Sequence, residues 1–223
     1  MEMTEAKVQQ KTRRGAPSPV PAEAVLLIEG RGWQPDIYLV RRADGLAVLK
    51  DYSRRGPLVR LVGAFLIRRE NAAYQRLKGV TGVPQGLGRV GRLGLLTEFV
   101  DAELVTKYVE TRKLPAEYFE RLHELVQRIH AAGVAHGDLK RRRNLMITRD
   151  FQPYIIDFAA SWCKGPKWNL LRNWFFRQVC QVDRNAVAKL KWRHAPHLLT
   201  EEERNALNNG TFLERSVRIL FGR

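Results

Sequence analysis

Apolar and β-branched residues gather in short runs along the first part of the chain: Ala24 to Ile28, Asp36 to Val40, and Leu46 to Tyr52, the last closed by the sequence SRRGP. Runs of this length, bounded by glycine, proline and charge, predict strands. From Leu58 the spacing becomes helical, through Leu61, Val62, Phe65, Leu66, Ala73 and Leu77, and Gly79 supplies the stop. Two more strands are predicted, Leu87 to Val90 and Leu93 to Val100. The pattern then shifts. Leu122, Leu125, Val126 and Ile129 share one face of a helix predicted from Pro115 to Ala132 and stopped by Gly133. Two β-rich runs follow, Asn144 to Thr148 and Pro153 to Phe158, and after Trp168 the chain reads as helical. The order predicts an α+β protein, β-rich with one long helix up to residue 98 and mainly helical with one β insert beyond it.

Composition narrows the classes. The 223 residues are 44% hydrophobic and 28% charged, the balance of a folded protein with a sizeable core. Two cysteines, Cys163 and Cys180, are too few for a disulfide framework or a cysteine-rich zinc site and fit a reducing compartment. The apolar runs are far shorter than a bilayer span, and MEMTEAKVQQKTRR has no apolar core of a secretory leader, so the expected location is cytoplasmic. Residues 1–21 are polar, basic and then proline-rich, which suggests a mobile arm ahead of two lobes at 22–98 and 99–223. Lys and Arg number 39 against 23 acids, a net charge of +16, a field that attracts phosphates, anionic lipid or nucleic acid.

The segment VAHGDLKRRRNLMI, followed by PYIIDFAAS, concentrates candidate chemistry. Asp138 follows a helix, Asn144 opens a β run and Asp157 closes the next one. This places a carboxylate, a lysine (Lys140), an amide and a second carboxylate on turns at one end of a small hairpin. Phosphoryl transfer uses such a set: a carboxylate to orient the attacking hydroxyl, an amide and a carboxylate to hold Mg²⁺, and a lysine to neutralise the moving phosphoryl. A plain polar turn with Asp138 as a cap is the bland alternative. Upstream, Lys50 lies within the β run LAVLKDY on the face of Val48 and Tyr52, where an exposed strand edge is the ordinary explanation. Glu70 falls in the predicted long helix, where a glutamate is ordinarily a solvated surface residue. Gly30 and Gly32, in GRGWQP, lie between two strands; they form a turn that could also let backbone N–H groups approach phosphates.

Taken in order, a glycine turn, a strand lysine, a helix glutamate, H-x-D with a downstream asparagine, and D-F resemble the protein-kinase-like fold from Ala22 to Trp162. Within it the chain is similar to the small bacterial lipopolysaccharide-core (Kdo/heptose) kinases and the RIO-type kinases. The resemblance implies a β-rich N-lobe with one long helix and a reduced, mainly helical C-lobe. It implies ATP and Mg²⁺ as cofactors. Gly30 and Gly32 would cover the phosphates, Lys50 would contact the α/β-phosphates and pair with Glu70, and Glu98 to Val100 would form the hinge under adenine. Asp138 would be the catalytic base with Lys140 near the γ-phosphate, and Asn144 and Asp157 would hold Mg²⁺. The acceptor would be a hydroxyl of a sugar, a lipid-linked sugar or a protein Ser or Thr. The chain also departs from the pattern. Pro35 replaces the third loop glycine, H-R-D is H-G-D, Ala159 ends D-F-A, no A-P-E follows, and the Asp138 to Asn144 interval is one residue longer than the motif. The eroded glycine loop, Ala159 and the longer interval support an alternative, a catalytically weak or inactive pseudokinase scaffold, and the missing A-P-E weighs against a protein substrate.

From Ala160 to Ala195 eight Lys or Arg stand against one acid, Asp183, and four of the five tryptophans (Trp162, Trp168, Trp174, Trp192) share the stretch with Phe175 and Phe176. Aromatic and basic residues together suit the headgroup region of a membrane. They equally suit single-stranded nucleic acid, which keeps a nucleic-acid-binding protein as a third reading, or a core-packing helix with a basic outer face. The expectation drawn is docking on the inner face of an anionic membrane through Trp162 to Trp192.

Overall fold

The computed structural model describes residues 24–209. The arm expected at residues 1–21 lies outside them. The described residues fall into two compact units, one of residues up to Asn71 together with Gly86–Phe99, the other of Ala72–Gln85 and Val100 onward. The chain order begins β1 (Val25–Ile28), β2 (Asp36–Arg42), β3 (Gly45–Asp51), α1 (Pro57–Arg76), β4 (Gly86–Val90) and β5 (Gly94–Glu98). It continues with β6 (Glu103–Leu104), α2 (Val105–Thr111), α3 (Ala116–Ala131), β7 (Val134–Ala135), β8 (Leu145–Ile147), β9 (Pro153–Ile155), β10 (Trp162–Cys163), α4 (Leu170–His194) and α5 (Glu201–Asn209).

In the first unit, five strands form an antiparallel sheet ordered β1-β2-β3-β5-β4. β3 alternates as its sequence dictates: Ala47, Leu49 and Asp51 are buried, while Val48 and Lys50 sit half-buried on the opposite face. Tyr38, Val40, Ala47, Leu49 and Leu96 pack into one cluster on the sheet. Lys50 therefore stands on the central strand, between Ile37 and Leu95, and not on an edge. Gly63 of α1 lets the helix approach the end of β3, because a Cβ there would lie 2.4 Å from the Tyr52 ring.

The second unit is built around α3, whose Tyr118, Phe119, Leu122, Leu125, Val126 and Ile129 are all buried. α3 packs against α4, and the β8–β9 hairpin, joined by β6, packs on α3. Gly133 (φ +78°) ends α3 in the left-handed conformation that favours glycine. Two features escape the periodicity reading: the seven-residue α2, and the short pairings of β7 with β10 and of β6 with β8. No helix among the described residues is long and apolar enough to cross a membrane.

Candidate active site

In the first unit, Lys50 Nζ donates to both carboxylate oxygens of Glu70, at 2.8 and 2.7 Å. Glu70 is 1% exposed, so the helix glutamate is an internal ion-pair partner and not a solvated surface residue. Gly30 is buried in the β1–β2 turn, where its N–H donates to Asp36 Oδ1 at 2.9 Å. A Cβ on Gly30 would meet the Pro35 and Gln34 carbonyls at 2.3 and 2.4 Å, so the turn itself requires glycine there. Asp36 also pairs with Arg55. Gly32 is exposed, at φ +56°, with open space around it. Glu98 ends β5 opposite Ala47 and is exposed; Phe99 N–H donates to the Leu46 carbonyl, and Val100, half-buried, begins the second unit.

In the second unit, the loop after β7 is held from beneath by one residue. The fully buried Asp183 of α4 accepts the backbone N–H groups of His136 (2.7 Å) and Gly137 (2.8 Å), and its Oδ2 lies 3.0 Å from His130 Nε2. His136, also fully buried, accepts the Asp138 N–H on Nδ1 (3.2 Å) and lies 3.0 Å from the Ile156 carbonyl through Nε2. With Nδ1 accepting, Nε2 carries the proton. The same ring packs on Phe158 at 4.8 Å between centroids. One imidazole thus ties Asp138 to the strand end that carries Asp157.

Gly137 answers the departure from H-R-D. Its φ is +80°, and a Cβ would lie 2.8 Å from the Ala160 carbonyl, so the turn that presents Asp138 closes only around glycine. The extra residue before Asn144 is taken up by a 3₁₀ turn, Arg142–Asn144. Asn144, 2% exposed, donates from Nδ2 to the Asp138 carbonyl at 3.0 Å, and its own carbonyl accepts the Ile156 N–H at 3.0 Å. Asn144, Asp138 and the residue preceding Asp157 are therefore one hydrogen-bonded assembly. Asp157 sits at φ +66°, ψ +70°, a left-handed conformation that a non-glycine residue adopts at a cost and that clusters at functional sites. One amide and one carboxylate are a sufficient protein contribution to a Mg²⁺ that takes its remaining ligands from phosphates and water. Among the described residues no group of three or more His, Cys, Asp or Glu forms a metal cage.

Lys140 is exposed beside this loop. The contact to Asp138 comes instead from Arg141, whose Nε lies 3.2 Å from Asp138 Oδ2. Arg141 stands in the KRRR run, where four consecutive cations hide which one reaches the carboxylate. Asp183 was legible only as the lone acid of a basic stretch, because its partners are two backbone N–H groups 46 and 47 positions away and the His130 ring, 53 positions away. The basic aromatic stretch itself divides. Trp162 and Trp174 are half-buried against Phe175, at 5.6 and 4.9 Å, and Phe176 is buried with Ala135 and Cys180. Lys191 is paired internally with Glu203 at 2.7 Å. Only part of the segment expected to face a membrane is therefore exposed.

Solved structures similar to this chain include the Rio2 kinase of Chaetomium thermophilum in an ADP/Mg²⁺-phosphoaspartate complex, at 21% identity and a TM-score of 0.56 over 81% of this chain and 57% of that one. A second structure of the same Rio2 kinase gives 21% identity and a TM-score of 0.57 over 77% of this chain and 57% of that one. The chain thus spans 57% of the length of those neighbours, and the likeness shows a protein-kinase-like fold. No curated protein sequence matches it. A family model for the RIO domain matches residues 52–169, just over half of the chain and a stretch that holds Glu70, Asp138, Asn144 and Asp157; the chain belongs to the RIO domain family.

Proposed function

We propose that the protein is an ATP- and Mg²⁺-dependent kinase that transfers the γ-phosphoryl group to a hydroxyl. The observation that carries this reading is the buried assembly in which His136, Gly137 and Asn144 fix Asp138 beside the strand end bearing Asp157. Nothing in packing alone calls for a carboxylate on a left-handed turn next to a second carboxylate in left-handed geometry. The similar Rio2 kinase was captured with ADP and Mg²⁺, which supports the same cofactors here.

In this reading Asp138 orients the acceptor hydroxyl and takes its proton as the O–P bond forms and the bond to the β-phosphate oxygen breaks, releasing ADP. Asn144 and Asp157 would hold Mg²⁺, which when bound would neutralise charge on the phosphates. Lys50, fixed by Glu70, contacts the α/β-phosphates, and Lys140 assists at the γ-phosphate. Arg141 holds the Asp138 carboxylate until the acceptor arrives. Gly32 is the loop glycine with space for a phosphate, while the Gly30 amide is committed to Asp36. Glu98 to Val100 serve the adenine.

The acceptor is a protein Ser or Thr or a lipopolysaccharide-core sugar, in the cytoplasm. Incubation with γ-labelled ATP and Mg²⁺, with the protein alone and with core sugars, tests the reading. Acid-stable phosphoserine or phosphothreonine supports a protein acceptor, and labelled sugar supports the second. Hydroxylamine-labile label would place the phosphoryl on a carboxylate, as in the Rio2 phosphoaspartate complex. No label in any fraction, with Asp138→Asn indistinguishable from wild type, overturns the kinase reading. The commitment of the Gly30 amide to Asp36 favours a second reading, an inactive scaffold. For that reading, thermal stabilisation by ATP would be independent of Mg²⁺.

A further inference from the structure

The start of α4 exposes three large apolar side chains in a row of four: Trp168 is 80% exposed, Leu170 75% and Leu171 68%. Single exposed apolar residues are ordinary, but a cluster of this size is not. The tip is not a frayed end. Asn173, buried on α4, accepts the Gly165 N–H on Oδ1 (2.9 Å) and donates from Nδ2 to the Pro166 carbonyl (2.9 Å). Asn169 caps the helix by accepting the Arg172 N–H at 3.0 Å. Trp162 Nε1 reaches the Arg172 carbonyl at 3.1 Å. The loop is thus pinned on both sides in a shape that holds Trp168, Leu170 and Leu171 out.

The charge carried by the chain on either side of this tip has one sign. Lys164, Lys167 and Arg172 flank it and are exposed. Leu170, Arg177 and Arg184 recur at seven-residue spacing, which puts them along one line of the helix, and both arginines are exposed. No acid occurs between Asp157 and Asp183, and Asp183 is turned fully inward to the His136 and Gly137 amides. Among the described residues that follow Asp183 in the chain, the exposed acids are Glu201 and Glu202 of α5.

We infer that the Trp168–Leu171 tip, with the Arg177 and Arg184 line behind it, docks on an anionic bilayer surface. Cations alone would fit nucleic acid as well. The two leucines decide between them, because aliphatic side chains gain by entering the acyl boundary and gain little by lying against base edges or phosphates. Tryptophan is the side chain that prefers that boundary, where its ring is buried and its N–H stays wet. Each cation held near an anionic surface raises the partition about fivefold, so binding is reversible and weakens with salt. The inference does not rest on the kinase reading, and its test does not use catalysis.

The experiment is co-sedimentation of the full chain with vesicles of phosphatidylcholine, alone or with 30 mol% phosphatidylglycerol (roughly the anionic content that gives a strong surface potential). Two variants accompany it: Trp168→Ser/Leu170→Ser/Leu171→Ser, and Lys167→Gln/Arg177→Gln/Arg184→Gln. The changed residues are exposed, so unfolding midpoints should stay near wild type. The expected result is binding to the anionic vesicles, little to the neutral ones, and a loss of tenfold or more in either variant. Quenching of tryptophan fluorescence by lipid brominated near the headgroup should occur in wild type and fall sharply in Trp168→Phe, which alters one residue. Binding that ignores phosphatidylglycerol, or that survives the serine variant, overturns the inference. So does capture of a single-stranded RNA that the charge variant loses and the serine variant keeps, without vesicle binding.

Discussion

The Asp183 carboxylate of α4 accepts the His136 and Gly137 backbone N–H groups at 2.7 and 2.8 Å, so one buried side chain sets the backbone from which Asp138 projects. The arrangement is a second layer of support: Asp183 holds the peptide, the His136 ring holds Asp138 N–H and the Ile156 carbonyl, and Asn144 holds the Asp138 carbonyl. A catalytic carboxylate needs such fixing, because misplacement by a fraction of an ångström forfeits the advantage of orientation.

Asp183→Asn should therefore lower stability by about 2–3 kcal/mol, since the amide would turn an N–H toward a backbone donor and leave a buried group unsatisfied. Thermal unfolding reads this directly. With the kinase reading, kcat falls while the affinity for ADP, measured by calorimetry, holds. A variant as stable as wild type would show that the loop carries its own geometry.

Gly137→Ala tests the same loop from the backbone side. A left-handed conformation costs an alanine about 1–2 kcal/mol, and its Cβ would meet the Ala160 carbonyl at 2.8 Å. The expected outcome is a folded protein with a lowered melting temperature and a displaced Asp138, seen as a fall in kcat without a matching rise in the KM for ATP. An unchanged kcat would mean that the turn re-forms around a side chain and that the H-G-D sequence is incidental.

Much of this site is written in local sequence, and the rest is written in partners far along the chain. α3 could be traced because Leu122, Leu125, Val126 and Ile129 recur at helical spacing, and β3 because Leu46 to Tyr52 is a short apolar run closed by SRRGP. α2 could not, since Val105–Thr111 gives barely two turns and contains β-branched residues at several positions. Lys50 could be named as a candidate from motif order, but its burial depends on β3 lying between β2 and β5, which no single strand discloses. Asp183 shows the limit most clearly. Two of its partners are main-chain amides, which no sequence displays, and its side-chain partner, His130, lies 53 positions away.

Alkaline pH should weaken the fold in two stages. Burial pushes the Cys180 thiol up to about 12, and pushes the Tyr118 hydroxyl, also buried, well above its usual range. Both groups are neutral when folded. Once pH passes the ordinary values near 9 and 10, the unfolded chain releases protons that the folded chain keeps. Stability is therefore fully present below pH 9 and falls as pH rises, by at most about 1.4 kcal/mol per pH unit for each group. Urea midpoints at a series of pH values check this. Cys180→Ala should remove the first stage and Tyr118→Phe the second; a midpoint flat to pH 11 (roughly two units above the usual thiol range) would contradict both.

The Lys50–Glu70 pair separates a structural role from a chemical one. Glu70 is 1% exposed and meets Lys50 through both oxygens. Lys50→Met removes that cation from a buried carboxylate, which should cost about 3–5 kcal/mol. Lys50→Met/Glu70→Leu removes both charges, so most of that loss should return, because a buried pair contributes little beyond what apolar packing gives. If the pair served only to fasten α1 to β3, the double variant would regain phosphoryl transfer along with its stability. Contact between Lys50 and the nucleotide phosphates predicts the opposite. The double variant should unfold near the wild-type temperature yet remain as inactive as the single one, with its affinity for ADP reduced by the same factor. Recovered activity in a recovered fold would confine Lys50 to the architecture of the first unit.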